Sequence, residues 1–400
     1  MTNWSRYCRL LLIVTALATL ALYAAALAID PYDTGRFALF HRTGVPLYGQ
    51  RMADASRGRD PQFDSAVIGN STIQLLDPAR LDAGLGGHFA SLAIPGTGPY
   101  EQLLVLGWFL HHHPENVRTV VIGFDGSWCD HPRVFGPAGE SYPFPAWLYA
   151  EKPWAYLDHM FSYKSLEAGI RRLAVILGRD PAAREDGYND YEAGKSYDPN
   201  AARTRMINGG AGSDQAEDAA PSPAAPPPPD GARPEFAALA AALRSLPDTV
   251  YVALVFPPRE TGSLPPPGSD GAALVAACKQ KASALAGVHA NLRIIDFLND
   301  GQISRPGNFW DHIHYRGAIA RQIEDAIGEG GMGIVYRVRH VHTDEVLAMK
   351  VLHAHVLRDE HAVERFRREA RAPARIARSI ILQILRALAS ESEPPKTVKS

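Results

Sequence analysis

Three residues able to supply a nucleophile, a base and an orienting acid stand far apart in this chain. Ser71 closes the run Ala66-Val67-Ile68-Gly69-Asn70-Ser71-Thr72, and Asp311 and His314 lie in Asp311-His312-Ile313-His314-Tyr315. A serine hydroxyl is a poor nucleophile until an imidazole within hydrogen-bond reach takes its proton, and a carboxylate must fix the tautomer of that imidazole. The three-residue spacing of Asp311 and His314 predicts one helical turn with both on the same face. If that turn is not helical, His312 competes with His314 as the base. A developing oxyanion needs preorganised donors, and the backbone N–H groups of Ser71 and of Gly96 or Gly98 are the candidates, glycine allowing close backbone approach. The plain alternative for the first run is a strand-to-helix turn with Ser71 or Thr72 as N-cap.

Positioning such residues requires a sheet whose strands end at one edge. Short apolar runs at 66–68, 89–94, 117–124, 250–256 and 292–297 read as five strands. Helical stretches lie between them at 101–111, 236–246 and 272–285, with a short helix or loop at 75–85. Strands alternating with helices predict an α/β fold: a parallel five-stranded sheet covered on both faces, in a flavodoxin-like three-layer α/β/α sandwich. Ligands in such sheets sit at the carboxyl ends of the strands. Ser71, then Gly96 and Gly98, then Asp125, then Asp311 with His314 all follow that same end.

The remaining stretches fall around this frame. Residues 31–60 are rich in turn formers and read as a surface connector leading into a domain at 31–327. Residues 128–205 read as a helical, aromatic insertion. Its Trp128, Trp147, Trp154, Tyr156 and Tyr163 suit either core packing or a sugar-stacking platform. Residues 206–234, rich in Gly, Ala and Pro, read as a flexible linker.

Composition bounds partners and compartment. The formal net charge of -2 argues against a general nucleic-acid binder, which needs a concentrated positive surface. The stretch Leu10–Ile29 carries no charge, enough for a helix to cross a hydrocarbon core. Arg6 and Arg9 precede it while Asp30 and Asp33 follow. The positive-inside tendency then places an anchor at 1–30 in the cytoplasmic membrane, with the bulk of the chain outside. Ala26-Leu27-Ala28 supports the competing reading, a cleaved signal peptide. Of the three cysteines, Cys129 and Cys278 would lie where a disulfide is permitted, a pairing that sequence leaves open. His111-His112-His113 reads as a solvated helix end before Pro114 rather than a metal tract, since consecutive helical residues point different ways. No metal or cofactor is implied.

Together these residues resemble the SGNH hydrolase superfamily, in particular its membrane-anchored branch related to the alginate and cellulose O-acetylation proteins. The resemblance runs from Asp30-Pro31-Tyr32 to Ile327. The family's first block, usually Gly-Asp-Ser, reads Gly69-Asn70-Ser71 here, and its Asp-x-x-His block reads Asp311-His312-Ile313-His314. The second-block glycine maps to Gly96 or Gly98. The third block departs: near Phe124-Asp125-Gly126 this chain has an acid where the family has an oxyanion asparagine, and an ionised Asp125 cannot donate. Either that donor is missing, as the resembled acetylation branch implies it can be, or Asp125 binds substrate or orients a loop. The resemblance implies ester chemistry through a seryl intermediate, on a polysaccharide or small ester, with a membrane acyl-donor protein as a partner. The alternative it leaves is an inactive member that binds glycan or an export-complex partner.

The tail carries a second resemblance. Gly328-Glu329-Gly330-Gly331-Met332-Gly333-Ile334-Val335-Tyr336 is similar to the glycine-rich loop of bacterial Ser/Thr protein kinases. Ala348-Met349-Lys350 is similar to the lysine strand that follows, and Glu369 to the helix C acid. No His-Arg-Asp or Asp-Phe-Gly appears in the sequence, so the expectation is a truncated kinase-lobe remnant at 328–374 without kinase activity. A tail at 375–400, disordered or helical, follows it. Arg365, Arg367, Arg368, Arg371 and Arg375 make the end basic, as a solvated helix face does.

Overall fold

A computed structural model describes residues 2–36, 50–129, 144–150, 152–179, 184–207, 233–331, 333–339 and 346–352. Five strands, β1 (Ser65–Gly69), β2 (Phe89–Ala93), β3 (Thr119–Gly123), β4 (Tyr251–Phe256) and β5 (Leu292–Asp296), form one sheet in the order β2-β1-β3-β4-β5. Every pairing is parallel. The helices in chain order are α1 (Thr2–Ile29), α2 (Gln50–Arg57), α3 (Pro78–Leu85), α4 (Pro99–His112), α5 (Gly126–Cys129) and α6 (Ala146–Tyr149). Next come α7 (Pro153–Met160), α8 (Tyr163–Ile176), α9 (Pro199–Ile207), α10 (Pro234–Arg244), α11 (Asp270–Ala284) and α12 (Gly317–Gly331).

β-Branched and small apolar residues make β1, β3 and β4 continuous buried runs, as strands covered on both faces require. Their side chains alternate between two cores. Ala66, Ile68, Val120, Ile122, Val252 and Leu254 face one, which receives Leu106 and Phe109 of α4, Leu239 and Leu243 of α10 and Cys278 of α11. Val67, Val121, Ala253 and Val255 face the other, which receives Leu81 of α3 and Ile319 and Ile323 of α12. This is the expected three-layer sandwich. Its strand order reverses between β1 and β3, where ligand crevices of such sheets lie.

Several expectations change. The connector at 31–60 contains α2, five of whose residues, Ala53 to Arg57, are buried; its charged ends hid a helix held by packing. The linker at 206–234 falls mostly outside the described residues, bounded by α9 and α10. The glycine-rich loop expected at Gly328 and Gly330 is instead the end of α12, because the buried row Ile319, Ile323 and Ile327 carries the helix through. The boundary placed after Ile327 thus falls inside a helix. Gly333 opens β6 (Gly333–Arg339), which pairs antiparallel with β7 (Val346–Leu352) and sets Lys350 opposite Val335. Glu369 lies outside the described residues.

The α1 helix is long and apolar enough to cross a membrane. Its last turn is locked to the domain by buried carboxylates. Asp30, fully buried, accepts from Tyr156 Oη at 2.6 Å, Thr34 Oγ1 at 3.1 Å and Gly35 N at 2.6 Å. Asp33 meets Arg59 at 2.5 Å, Arg172 at 3.2 Å and Ser56 Oγ at 2.6 Å. Both adopt positive φ, the strained left-handed conformation that acidic residues tolerate better than most.

Cys129 and Cys278 form a disulfide joining the end of α5 to α11. It closes a long loop, so Cys278→Ser in the full chain is expected to lower stability by about 2–5 kcal/mol. Thermal melts of the two proteins, with and without reductant, check this: reductant should shift only the parent.

Candidate active site

The turn after β1 is built on close approach. Ile73 is fully buried beneath it, and a Cβ at Gly69 would lie 2.5 Å from Ile73 Cγ2. Any larger residue at 69 would lift the turn that carries Ser71. Hydrogen bonds from Ile73 N to Asn70 O (3.1 Å) and from Leu76 N to Ile73 O (3.2 Å) close the turn. Ser71 is left half-exposed at its crest.

His314 Nε2 lies 2.9 Å from Ser71 Oγ, and His314 Nδ1 lies 2.6 Å from Asp311 Oδ2. The three expected residues are therefore brought together. The helical turn expected at 311–314 is not there. Asp311 Oδ1 instead accepts from the backbone N–H of Ile313 (2.9 Å) and His314 (2.8 Å), folding the loop by its own side chain. Burial pushes the Asp311 carboxyl up. Its bond to His314, the His314 charge and the two N–H donors together outweigh burial and hold it below the usual carboxylate range. His312 points elsewhere, its Nδ1 3.8 Å from Glu260. His314 and Asp311 keep 27% and 20% side-chain exposure, which leaves the pair reachable from solvent.

The loop bearing His314 is braced by a segment that the sequence did not single out. The Tyr191 ring meets the His314 ring edge-on at 5.5 Å, and its hydroxyl donates to Tyr315 O at 2.5 Å. Glu192 accepts from Trp310 Nε1 (2.6 Å) and Gly317 N (2.7 Å). No periodicity signals residues whose partners lie more than a hundred positions away.

Asn70 and Asp125, which follow β1 and β3, touch. Asn70 Nδ2 donates to Asp125 Oδ2 at 2.5 Å and to Thr97 O at 3.3 Å, and its Oδ1 accepts from Thr72 N (3.1 Å) and Thr72 Oγ1 (2.8 Å). Asp125 Oδ1 accepts from Ser127 N (3.2 Å) and Ser127 Oγ (2.6 Å). Both Asn70 donors are thereby occupied.

The second-block glycines separate. The Gly98 N–H donates to Glu101 Oε2 at 3.0 Å as the cap of α4, so Gly98 is not a spare donor. Gly96 takes positive φ, and among the described residues neither its N–H nor that of Ser71 has an acceptor. Arg51 Nη2 donates to Pro95 O at 2.8 Å. Pro95 C=O and Gly96 N–H share one peptide unit, so this cationic bond strengthens the N–H as a donor.

Other candidates fall away from the site. His113 is buried, its Nδ1 against Phe109 O (2.8 Å) and its Nε2 against Asp60 O (2.9 Å), not solvated as expected. Among the described residues no His, Cys, Asp and Glu cluster could hold a metal. Trp128 and Tyr156 are core residues, while Trp154 and Tyr163 are exposed.

No family model matches the chain. The serine/threonine-protein kinase pkn3 of Myxococcus xanthus is 48% identical to it over 59 residues, 15% of this chain and 11% of that kinase. The chain thus covers a small part of that relative, and the match has no bearing on the Ser71 site.

Two outcomes test this geometry. Asn70→Asp sets two carboxylates against each other and is expected to cost about 3 kcal/mol at neutral pH. The cost shrinks in acid, where the pair shares a proton, and adding Asp125→Asn restores stability; denaturant titrations of the three variants read it. Asp311, held low in the folded state, contributes stability present above the ordinary carboxylate pKa and lost as pH falls through its own value. The melting-temperature gap between Asp311→Asn and the parent should therefore close on acidification.

Proposed function

We propose that this chain is a membrane-anchored serine acyl-ester enzyme of SGNH type, acting outside the cytoplasm on an acetylated polysaccharide or its acyl donor. The observation that carries the reading is the unbroken hydrogen-bonded series Ser71–His314–Asp311, assembled from opposite ends of the domain at the switch point of the sheet. Ser71 Oγ attacks the ester carbonyl as its proton passes to His314 Nε2, while Asp311 holds the Nδ1–H and the resulting imidazolium. The oxyanion takes the N–H groups of Ser71 and Gly96, the latter polarised through Arg51. Collapse expels the alkoxide, which receives the proton from His314 and leaves acyl-Ser71. A sugar hydroxyl or water then gives its proton to His314 and attacks the acyl group, and collapse breaks the acyl–Ser71 bond as Ser71 Oγ recovers the proton from His314, completing transfer or hydrolysis.

The disulfide and the order of Arg6 and Arg9 before the apolar helix support an extracytoplasmic domain on a single-pass anchor in the cytoplasmic membrane. A membrane acyl-donor protein would supply the acyl group for transfer. The tail, which holds a lysine strand but no His-Arg-Asp or Asp-Phe-Gly, is not assigned kinase activity. A second reading, an inactive glycan- or partner-binding member, is favoured by one observation: a carboxylate, Asp125, stands where the resembled family has its third oxyanion donor.

Hydrolysis of an aryl acetate by the full chain in detergent separates the two. Ser71→Ala and His314→Ala should each reduce the rate at least about a hundredfold, and mass spectrometry should find the acyl group on Ser71. Equal rates in all three proteins would leave the binding reading.

A further inference from the structure

The α7–α8 corner exposes large apolar side chains beside the membrane helix. Trp154, Phe161 and Tyr163 are 70%, 64% and 80% exposed. They are not scattered: the Phe161 ring packs edge-on against Tyr23 of α1 at 5.3 Å, and Tyr23 Oη donates to Leu157 O at 2.7 Å. From Tyr163 an exposed apolar row continues along α8 through Ile170 and Leu173.

The length of α1 says what covers this corner. Its charge-free stretch, Leu10–Ile29, spans about 30 Å, the thickness of a hydrocarbon core. The domain already packs on α1 from Tyr23 onward, with Ala26 buried. The part clear of the domain, Leu10–Leu22, spans only about 20 Å. If Arg6 and Arg9 stay among the headgroups, the far boundary of the core falls near Ile29, and the level of Tyr23 lies about 9 Å inside it. Phe161 and its neighbours are then at lipid depth. Sliding the helix so that the domain clears the bilayer would draw Arg6 and Arg9 into hydrocarbon.

We infer that the α7–α8 corner is seated in the interfacial layer of the bilayer that α1 crosses, with Trp154, Phe161 and Tyr163 as its lipid contacts. This rests on the anchor assignment above. Trp and Tyr are the side chains that favour this layer, having an apolar body and a polar tip. Exposed Lys152, the N-cap of α7, and exposed Lys164 of α8 suit anionic headgroups, while Arg171 pairs with Glu167 at 2.7 Å. The exposed charge of Asp158, next to Leu157, limits how deep the corner sits. Held both by α1 and by this corner, the domain keeps one orientation to the membrane instead of swinging from a tether.

The full chain with Cys8→Ser, reconstituted into vesicles of equal phosphatidylethanolamine and phosphatidylglycerol, provides the test. A nitrobenzoxadiazole label is placed at Phe161→Cys or, leaving the Tyr23–Phe161 pair intact, at Trp154→Cys. Leu17→Cys and Lys281→Cys mark the helix and the exposed surface of α11. Nitroxide on the lipid should quench the labels at 17, 154 and 161 several-fold more than the label at 281. Labels at 154 and 161 that behave like the one at 281 while 17 is quenched overturn the inference alone. So does a blue shift at 154 and 161 without nitroxide quenching, which would mean that protein covers the corner. Absence of quenching at 17 overturns the anchor and the inference with it.

Discussion

The site depends on a single side-chain amide. Asn70 uses both of its donors and its carbonyl oxygen to tie together the ends of three strands: its own after β1, Thr97 after β2 and Asp125 after β3. Parallel strands leave their carboxyl ends as separate loops that no backbone ladder joins. Something polar must cross-link them if Ser71 and Gly96 are to hold still. A buried amide with all its capacity spent does this at less desolvation cost than an unpaired charge. An Asn70 so engaged has no N–H left to donate elsewhere. The Arg51 bond to the Pro95 carbonyl strengthens the Gly96 N–H, which shares that peptide unit.

A second constraint works at the other end of the domain. The chain leaves α1 through two acidic residues that are nearly fully buried and carry positive φ, each satisfied by several donors. Strain of this kind persists where the surroundings over-determine it. Here the surroundings are α2, α8 and Tyr156, so α1, the helices that follow β3 and the start of the sandwich form one joint. Carboxylates held by arginine and hydroxyl groups are directional, whereas apolar contacts alone would let the helix pivot. Rigidity at this joint is what gives the exposed aromatic corner of α7 and α8 a defined height along the helix.

Much of this was legible in the chain. Strands β1 to β4 are short runs buried throughout, so Val120, Ile122, Val252 and Leu254 announce themselves by type and continuity alone, while the edge strand β5 keeps Arg293 and Asp296 exposed. That Ser71, Asp311 and His314 come together was legible because the loops after parallel strands gather at one edge of the sheet. The spacing of Asp311 and His314 predicts that the two side chains meet on a helical turn; they do meet, without that turn. An Asx-type loop, in which the carboxylate bonds the backbone two and three residues on, brings the two side chains together as a helical turn would. Helix α2 was missed because Asp54 and Arg57 mask its periodicity, whereas the loss of Gly98 as a donor is local, its N–H being taken by Glu101 three residues on in the cap of α4.

The sequence by itself thus determined the layered α/β class, the apolar helix and the residue types of the site, since burial patterns and helix length are local properties of the chain. Only the tertiary structure decided that His314 and not His312 reaches Ser71, that Asn70 and Asp125 form one bonded pair, and that Tyr191 and Glu192 brace the loop. Those outcomes depend on distances between residues far apart in the chain. No local pattern encodes such distances; they follow from how the sheet, its crossovers and the insertion pack.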